Sequence, residues 1–274
     1  MPSQARIALA LSAAALAAPA QTDARYTYAV VSVKHHKSPT FGGMGMGFQP
    51  GGRFEAHNAP IRMVIAMAYN VPFQSTRLTG GPDWLFAERY DIDAVADKGT
   101  APAELPENVR RERLRGMLRA MLAERFQLAV RAETKEMPVY AEVVAKGGLK
   151  LAPPAVAQKD CDDATCHQIT GGRGRGMHSR AADLTDLALY VSNWTDLPVI
   201  DETGVKGLFQ IDTKPWVSLE SKPPAPGEKG EDGSELADLS TVFTVFAEMG
   251  LKLERRKAPV EMYTIERVNR PGEN

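Results

Sequence analysis

Apolar positions recur along this chain with two periods, and the switches between them mark its elements. Tyr26 to Val33 (YTYAVVSV) is rich in β-branched and aromatic residues and predicts a strand. Phe54 to His57 predicts a second, short one. Asn58 is placed to cap the helix after it, and Pro60 falls in the first turn, where its missing N–H costs nothing. Ile61, Val64, Ile65, Ala68 and Tyr69 then share one helical face, which Asn70-Val71-Pro72 ends. After the turn Gly80-Gly81-Pro82, Tyr90 to Ala94 alternates as a half-buried strand. A helix starts near Glu107, behind Pro106, and carries Leu114, Met117, Leu118, Met121, Leu122 and Phe126 as its stripe. Leu128, Val130 and Ala132 alternate again. Met137-Pro138 predicts a turn, with Val139 to Ala145 returning as a hairpin partner.

The second part of the chain repeats this order. A helix with Leu184, Leu187, Ala188 and Val191 on one face has Asp183 as its cap or first-turn acid. Short strands follow at 198–201 and 207–211. The last helical face is Leu239, Val242, Phe243 and Phe246, with Gly250 as its C′ residue and strands from Leu251 and Leu253 onward. Ala258-Pro259-Val260 answers Met137-Pro138-Val139. The pattern predicts an α+β protein of two similar modules from an internal duplication, each a small mixed sheet with a hairpin covered by two helices. The expected boundaries are 24–151 and 171–270, with a linker at 152–170. The Pro-, Gly- and charge-rich stretch 218–233 is expected to be a mobile loop. The glycine-rich Phe41 to Gly52 lacks the ending of a phosphate loop and is expected to be a flexible loop.

Residues 1–20 stand apart from this pattern. Arg6, the apolar run Ile7 to Ala18 and the small residues Ala18-Pro19-Ala20 read as a cleavable signal peptide, cut after about Ala20. No later segment approaches the ~20 apolar residues of a membrane helix, so the expected location is periplasmic or extracellular, without a membrane span. Removing that segment leaves 32 basic residues of 33 against 34 acidic ones, a balance that offers nucleic acid no bulk attraction. The two cysteines, Cys161 and Cys166, are expected to pair as a disulfide in an oxidising compartment.

No nucleophile elbow, zinc-protease helix, Walker loop or calcium loop is present, so no catalytic residue, cofactor or metal is assigned. Asp91 and Asp93 share a strand face and read as its polar side. Cys161, Cys166, His167, Asp160, Asp162, Asp163 and His178 form the densest group of metal-capable side chains, but export favours the disulfide. His35 and His36 point to opposite faces of a strand and cannot easily share an ion. Arg111, Arg115 and Arg119 line one side of their helix and, with Arg173 and Arg175 in the second glycine-rich stretch, are candidates for a ligand or partner surface. The simpler reading of the helix arginines is a solvated face, helped by Glu107 four residues before Arg111. Trp84 and Trp194 are candidates for a sugar-binding surface, against ordinary packing.

Several stretches resemble a known family: GGRFEAHNAPIRMVIAMAY, LTGGPDWLFAERYDIDA, MLAERFQLAVRAETKEMPVYAEVVAKGG, LPVIDETGVKGLFQI and the tail IERVNRPGEN. They are similar to the secreted, Solibacter-type family of unknown function expanded in acidobacterial soil genomes. The resemblance spans nearly all of the chain after the signal segment and implies an exported protein without assigned catalytic residues. Some relatives resemble fusions behind a beta-lactam-sensor-type membrane metallopeptidase, which implies sensing or partner binding. In element order each half also resembles the short N-terminal domains of secretins and TonB-dependent transducers. Three functions follow in order of expectation. The first is a non-enzymatic module docking an envelope or secreted protein. The second is a small-ligand or glycan binder using the cleft between the halves, and the third a carboxylate-dependent hydrolase. Oligomeric state is not legible.

Overall fold

The protein is described by a computed structural model covering residues 26–37, 43–102, 104–161, 165–172, 174–217, 225, 227–229 and 233–272. Residues 1–25, with the expected signal peptide, and Asp162, Asp163, Arg173 and most of the 218–233 stretch lie outside the described residues. In chain order β1 (Tyr28–His35), β2 (Gly45–Gln49) and β3 (Arg53–Pro60) lead into α1 (Ile61–Ala68). Next come β4 (Leu78–Gly80), the single turn α2 (Trp84–Ala87), β5 (Arg89–Ala96), α3 (Glu107–Arg125) and β6 (Ala129–Val144). The rest is β7 (Thr170–Gly171), β8 (Met177–Ala182), α4 (Leu184–Val191), β9 (Val199–Asp201), β10 (Phe209–Asp212), β11 (Trp216–Val217), β12 (Ser240–Thr241), α5 (Val242–Glu248) and β13 (Leu251–Arg267). Helices and sheets are mixed, as an α+β fold requires.

The apolar periods place the helices well. Ile61, Val64, Ile65 and Ala68 of α1 are fully buried, and each of the three larger side chains contributes roughly 1.5–3 kcal/mol by leaving water. Leu114, Met117, Leu118, Met121 and Leu122 do the same for α3, with Phe126 buried at its C-cap. In β5 Tyr90, Ile92, Ala94 and Ala96 are buried while the residues between them are not, the alternation expected of a sheet covered on one face. This sheet runs β1-β5-β3-β2. Asp183 caps α4 through a reciprocal box with Asp186, and Gly250 takes its left-handed turn after α5 at φ +76°. Phe243 faces outward, edge-on to the Tyr140 ring, unlike Val242 and Phe246, which are buried.

Three expectations fail. The glycine-rich stretch contains β2, antiparallel to β3, because Met46 and Phe48 between its glycines pack on the core. Asn58 does not cap α1; it sits inside β3 with φ +51°, and Pro60 occupies the cap position. The Met137-Pro138 and Ala258-Pro259 turns do not exist. β6 and β13 each run straight through their prolines and pair with each other antiparallel along almost their whole length, Pro138 opposite Lys257 and Pro259 opposite Glu136. The outer strands of this sheet reach only its ends: β4 joins β13 at 263–265 and β9 joins β6 at 140–142. Both prolines therefore lie where the ribbon is two strands wide, and the N–H they lack is not needed by a third strand.

The consequence is one shared sheet, β4-β13-β6-β9, rather than a hairpin in each half. β4, from the first half, pairs with the last strand of the second; β9, from the second, pairs with the last strand of the first. The same exchange runs through the interior. Ile265 and Val268 complete the core of α1, α3 and the first sheet, whereas Tyr140 and Val144 pack on the core of α4 and α5.

Candidate functional site

The side of α3 that flanks its apolar stripe meets α4, where Arg111 pairs with Asp186. Arg111, Arg115 and Arg119 recur every four residues and so project from one side of the helix. Their side chains are 24%, 14% and 14% exposed. The solvated-face reading is thereby corrected: carboxylates of α4 and of α3 itself, together with the packing of the two halves, draw this row inward. Glu107 does not serve Arg111 as a helix neighbour alone, since its carboxylate lies against Nε2 of His167.

Arg111 Nη2 donates to Asp186 Oδ1 at 2.9 Å, and His167 Nδ1 donates to Asp186 Oδ2. Asp186 is also the N3 residue of the α4 capping box, accepting from the Asp183 backbone N–H at 3.2 Å. Burial alone would raise the Asp186 carboxyl, but His167 and Arg111 outweigh it and hold its pKa below the ordinary value. Burial would likewise lower His167, yet its bonds to Asp186 and Glu107 raise it to about 9. Glu107 is held low by His167, whereas burial and the Asp186 charge push Asp183 up. His167 is thus an imidazolium at neutral pH. Its Nδ1 also lies 2.9 Å from Arg111 Nη1, and that neighbouring charge opposes the protonation which the two carboxylates favour. The Cys161–Cys166 disulfide forms beside this network and ends one residue before His167. It removes both thiolates from the ligand set considered from sequence. His178 is elsewhere, 2.7 Å from Asp212.

Two clefts open on either side of Arg115. One, about 260 Å³, is walled by Met46, Phe48, Met63, Met67, Phe73 and Tyr190, with Arg111, Arg115 and His167 on its polar side. The other, about 580 Å³, is polar and is lined by Tyr69, Arg77, Arg119, Thr185, Asp201 and Tyr263. Asn70, Arg115 and Leu189 belong to both. Arg119 is engaged by Glu112 at 2.6 Å and by the Ala68 carbonyl at 2.8 Å. Arg115 has Glu112 at 3.5 Å, and burial with the adjacent Arg111 charge lowers its pKa below that of a free guanidinium without discharging it.

The tryptophans take packing roles. Trp84 lies under the Arg270 guanidinium, 5.2 Å from it, and Trp194 packs on Tyr190 and Trp216 at 4.7 and 5.8 Å. Neither lines the two clefts. Arg175 is exposed on the loop before β8, and Arg173 lies outside the described residues.

Sequence reasoning missed a second histidine–aspartate group. His36 Nδ1 stands 2.9 Å from Asp91 Oδ2, and His57 Nδ1 stands 2.9 Å from Asp91 Oδ1. The backbone N–H of Asn58 donates to the same Oδ1 at 2.9 Å, which accounts for that residue's left-handed backbone inside β3. Asp93, on the same strand face as Asp91, is held by Arg53 through two hydrogen bonds of 3.1 and 2.8 Å. His35 points away and packs edge-on against Tyr90, as the strand geometry predicts. The available signal was the adjacency of His57 and Asn58 at the end of a strand, read as a helix start.

Among the described residues no helix is long and apolar enough to cross a membrane. No curated protein and no solved structure matches the chain. A family model described as "Protein of unknown function (DUF3738)" matches residues 62–268, and the chain belongs to that family.

Proposed function

We propose that this DUF3738 protein is a binding module that holds a small amphipathic anion between α3 and α4. Arg115 carries the reading. It is a charged guanidinium, largely buried and weakly compensated, at the point where a methionine- and aromatic-walled pocket meets a polar cleft. An apolar body suits the first space, methionine being an adaptable lining, and a carboxylate or similar head group at Arg115 would receive a charge-assisted pair of hydrogen bonds. The Tyr190 hydroxyl and the Asn193 side-chain carbonyl, both in residues of the pocket wall, are buried without a hydrogen-bond partner among the described residues. Such groups cost free energy until something satisfies them.

This order reverses the sequence expectation, which put partner docking first. Docking of an envelope or secreted protein stays as a second reading because β1 and β2 are edge strands, and an extended peptide can add to either. The hydrolase reading has less support, since Glu107 and Asp186 are engaged by His167 and Arg111. We take the chain to be exported, on its first twenty residues and on the disulfide, which persists in oxidising compartments. We also take the repeated order strand, helix, short strands, helix, long strand as the trace of a duplication.

Calorimetry on the tag-free chain tests the proposal with decanoate, decanol and decyltrimethylammonium as probes. Decanoate should bind saturably and the other two at least ~10-fold more weakly, the factor that about 1.4 kcal/mol of head-group interaction produces. Arg115→Ala should abolish the preference. Equal binding of all three, or no saturable binding of decanoate, would sink it.

A further inference from the structure

We infer that His36, His57 and Asp91 form a binding site for a divalent transition metal of the zinc type, separate from the α3–α4 cleft. Zinc takes imidazole nitrogen and carboxylate oxygen at ~2.0–2.2 Å, and a tetrahedral arrangement sets neighbouring ligand atoms about 3.3 Å apart. Here His36 Nδ1 and His57 Nδ1 are each 2.9 Å from an Asp91 oxygen, and one ligand atom from each residue falls within 4.8 Å of the others. Around Asp91 Oδ1 alone the two imidazole nitrogens stand at 3.1 and 2.9 Å, within a few tenths of an ångström of that ligand–ligand spacing.

The surroundings favour this cluster over the buried one. Asn58 donates its N–H to Asp91 Oδ1 and is itself bonded through its carbonyl by Arg89, so the carboxylate is oriented from behind. The His36 side chain is 14% exposed and His57 62% exposed, so one ligand is set in the wall and the other borders solvent. Three protein ligands with an open side leave the fourth position for water or an exchangeable ligand. The His167 group lacks these properties. Both of its ring nitrogens face carboxylates, and Arg111 already supplies the positive charge that an ion would bring. Two imidazoles with one carboxylate favour zinc, nickel or copper over magnesium or calcium, which prefer all-oxygen sites.

Zinc titration of the tag-free, chelator-washed chain at pH 7, followed by calorimetry, tests the site. One ion per chain should bind with Kd below about 100 µM, a free energy beyond about −5.5 kcal/mol. His57→Ala should weaken it at least ~10-fold, the lower bound seen when even supporting residues of metal sites are lost. His178→Ala, at the His178–Asp212 pair, should leave it unchanged. Cobalt(II) should give visible absorption bands that His57→Ala removes. The melting temperature of His57→Ala without metal should match the parent, showing that the fold is kept. Zinc binding weaker than that limit, a loss under tenfold in His57→Ala, or an equal loss in His178→Ala would overturn the assignment. None of these readouts involves Arg115 or decanoate, so the site stands or falls apart from the cleft.

Discussion

His36 with His57 and Asp91, and His167 with Asp183 and Asp186, are made of the same side chains and occupy opposite electrostatic settings. The first group sits at the open end of a sheet, and its imidazoles share a single carboxylate with a backbone N–H. The second is folded between α3 and α4, where Arg111 and the further carboxylate of Glu107 close it off. One is a site with room for something else. The other is a clamp that is already complete. Histidine–aspartate contact alone therefore predicts neither metal nor structure; burial and the third charge decide.

The sharpest way to break this contrast is to remove the clamp's cation. Arg111→Ala leaves Asp186 buried against His167 alone and should cost roughly 3–5 kcal/mol in urea unfolding, the usual loss when one member of a buried ionic group is deleted. Arg111→Lys should recover less than half, because the planar fork is lost.

Next in size is the pH dependence. His167 is raised from 6.5 to about 9, so its contribution is fully present below pH 6.5 and is lost as pH rises through about 9. Glu142 on β6 is a useful opposite. It is fully buried, its carboxyl oxygens have no hydrogen-bond partner among the described residues, and burial with the nearby Asp201 and Asp183 charges raises it to about 9. An acid protonated when folded and ionised when unfolded also loses stability between its ordinary value and about 9. Stability should therefore fall between pH 6.5 and 9 by a few kcal/mol. His167→Gln should flatten one part of that slope, and Glu142→Gln the other, raising stability at pH 7 by roughly 3 kcal/mol. Unfolding curves at pH 5, 7 and 9 measure both. A wild-type stability that is constant over this range would contradict the clamp.

The Cys161→Ser, Cys166→Ser pair comes third. The small ring limits the loss to about 2 kcal/mol by chain entropy, and it should fall on the His167 side, leaving zinc affinity at His36 unaltered. The smallest effect is His57→Ala without metal. Its side chain is mostly exposed, and thermal unfolding should move by less than about 0.5 kcal/mol.

The particular errors of the sequence reading follow one rule. The helix starting near Glu107 and the alternating strand at Tyr90 were legible because their apolar periods lie within a few residues of each other. Pro138 suggested a turn because a proline usually interrupts a strand, and nothing nearby in the chain shows that its partner is Lys257 in a two-strand stretch. Asn58 looked like a cap because the helix was visible and Asp91 was not. The arginines of α3 looked solvated for the same reason: Glu107 was in view, and Asp186 was not. A cleft between the halves and Arg115 as a ligand candidate were each legible, but not that they coincide, since the walls come from both halves.

The amino-acid order by itself determined where α1, α3 and α4 form, the alternation of β5, and that two cysteines five apart close a small loop. Those are local consequences of side-chain period and chain length. Which strand lies beside which, and which charges meet, was decided only by the tertiary structure. Arg111 and Asp186 are 75 residues apart, and His36 and Asp91 are 55 apart. No period along the chain encodes such a meeting, because it depends on how two cores exchange strands across one shared sheet.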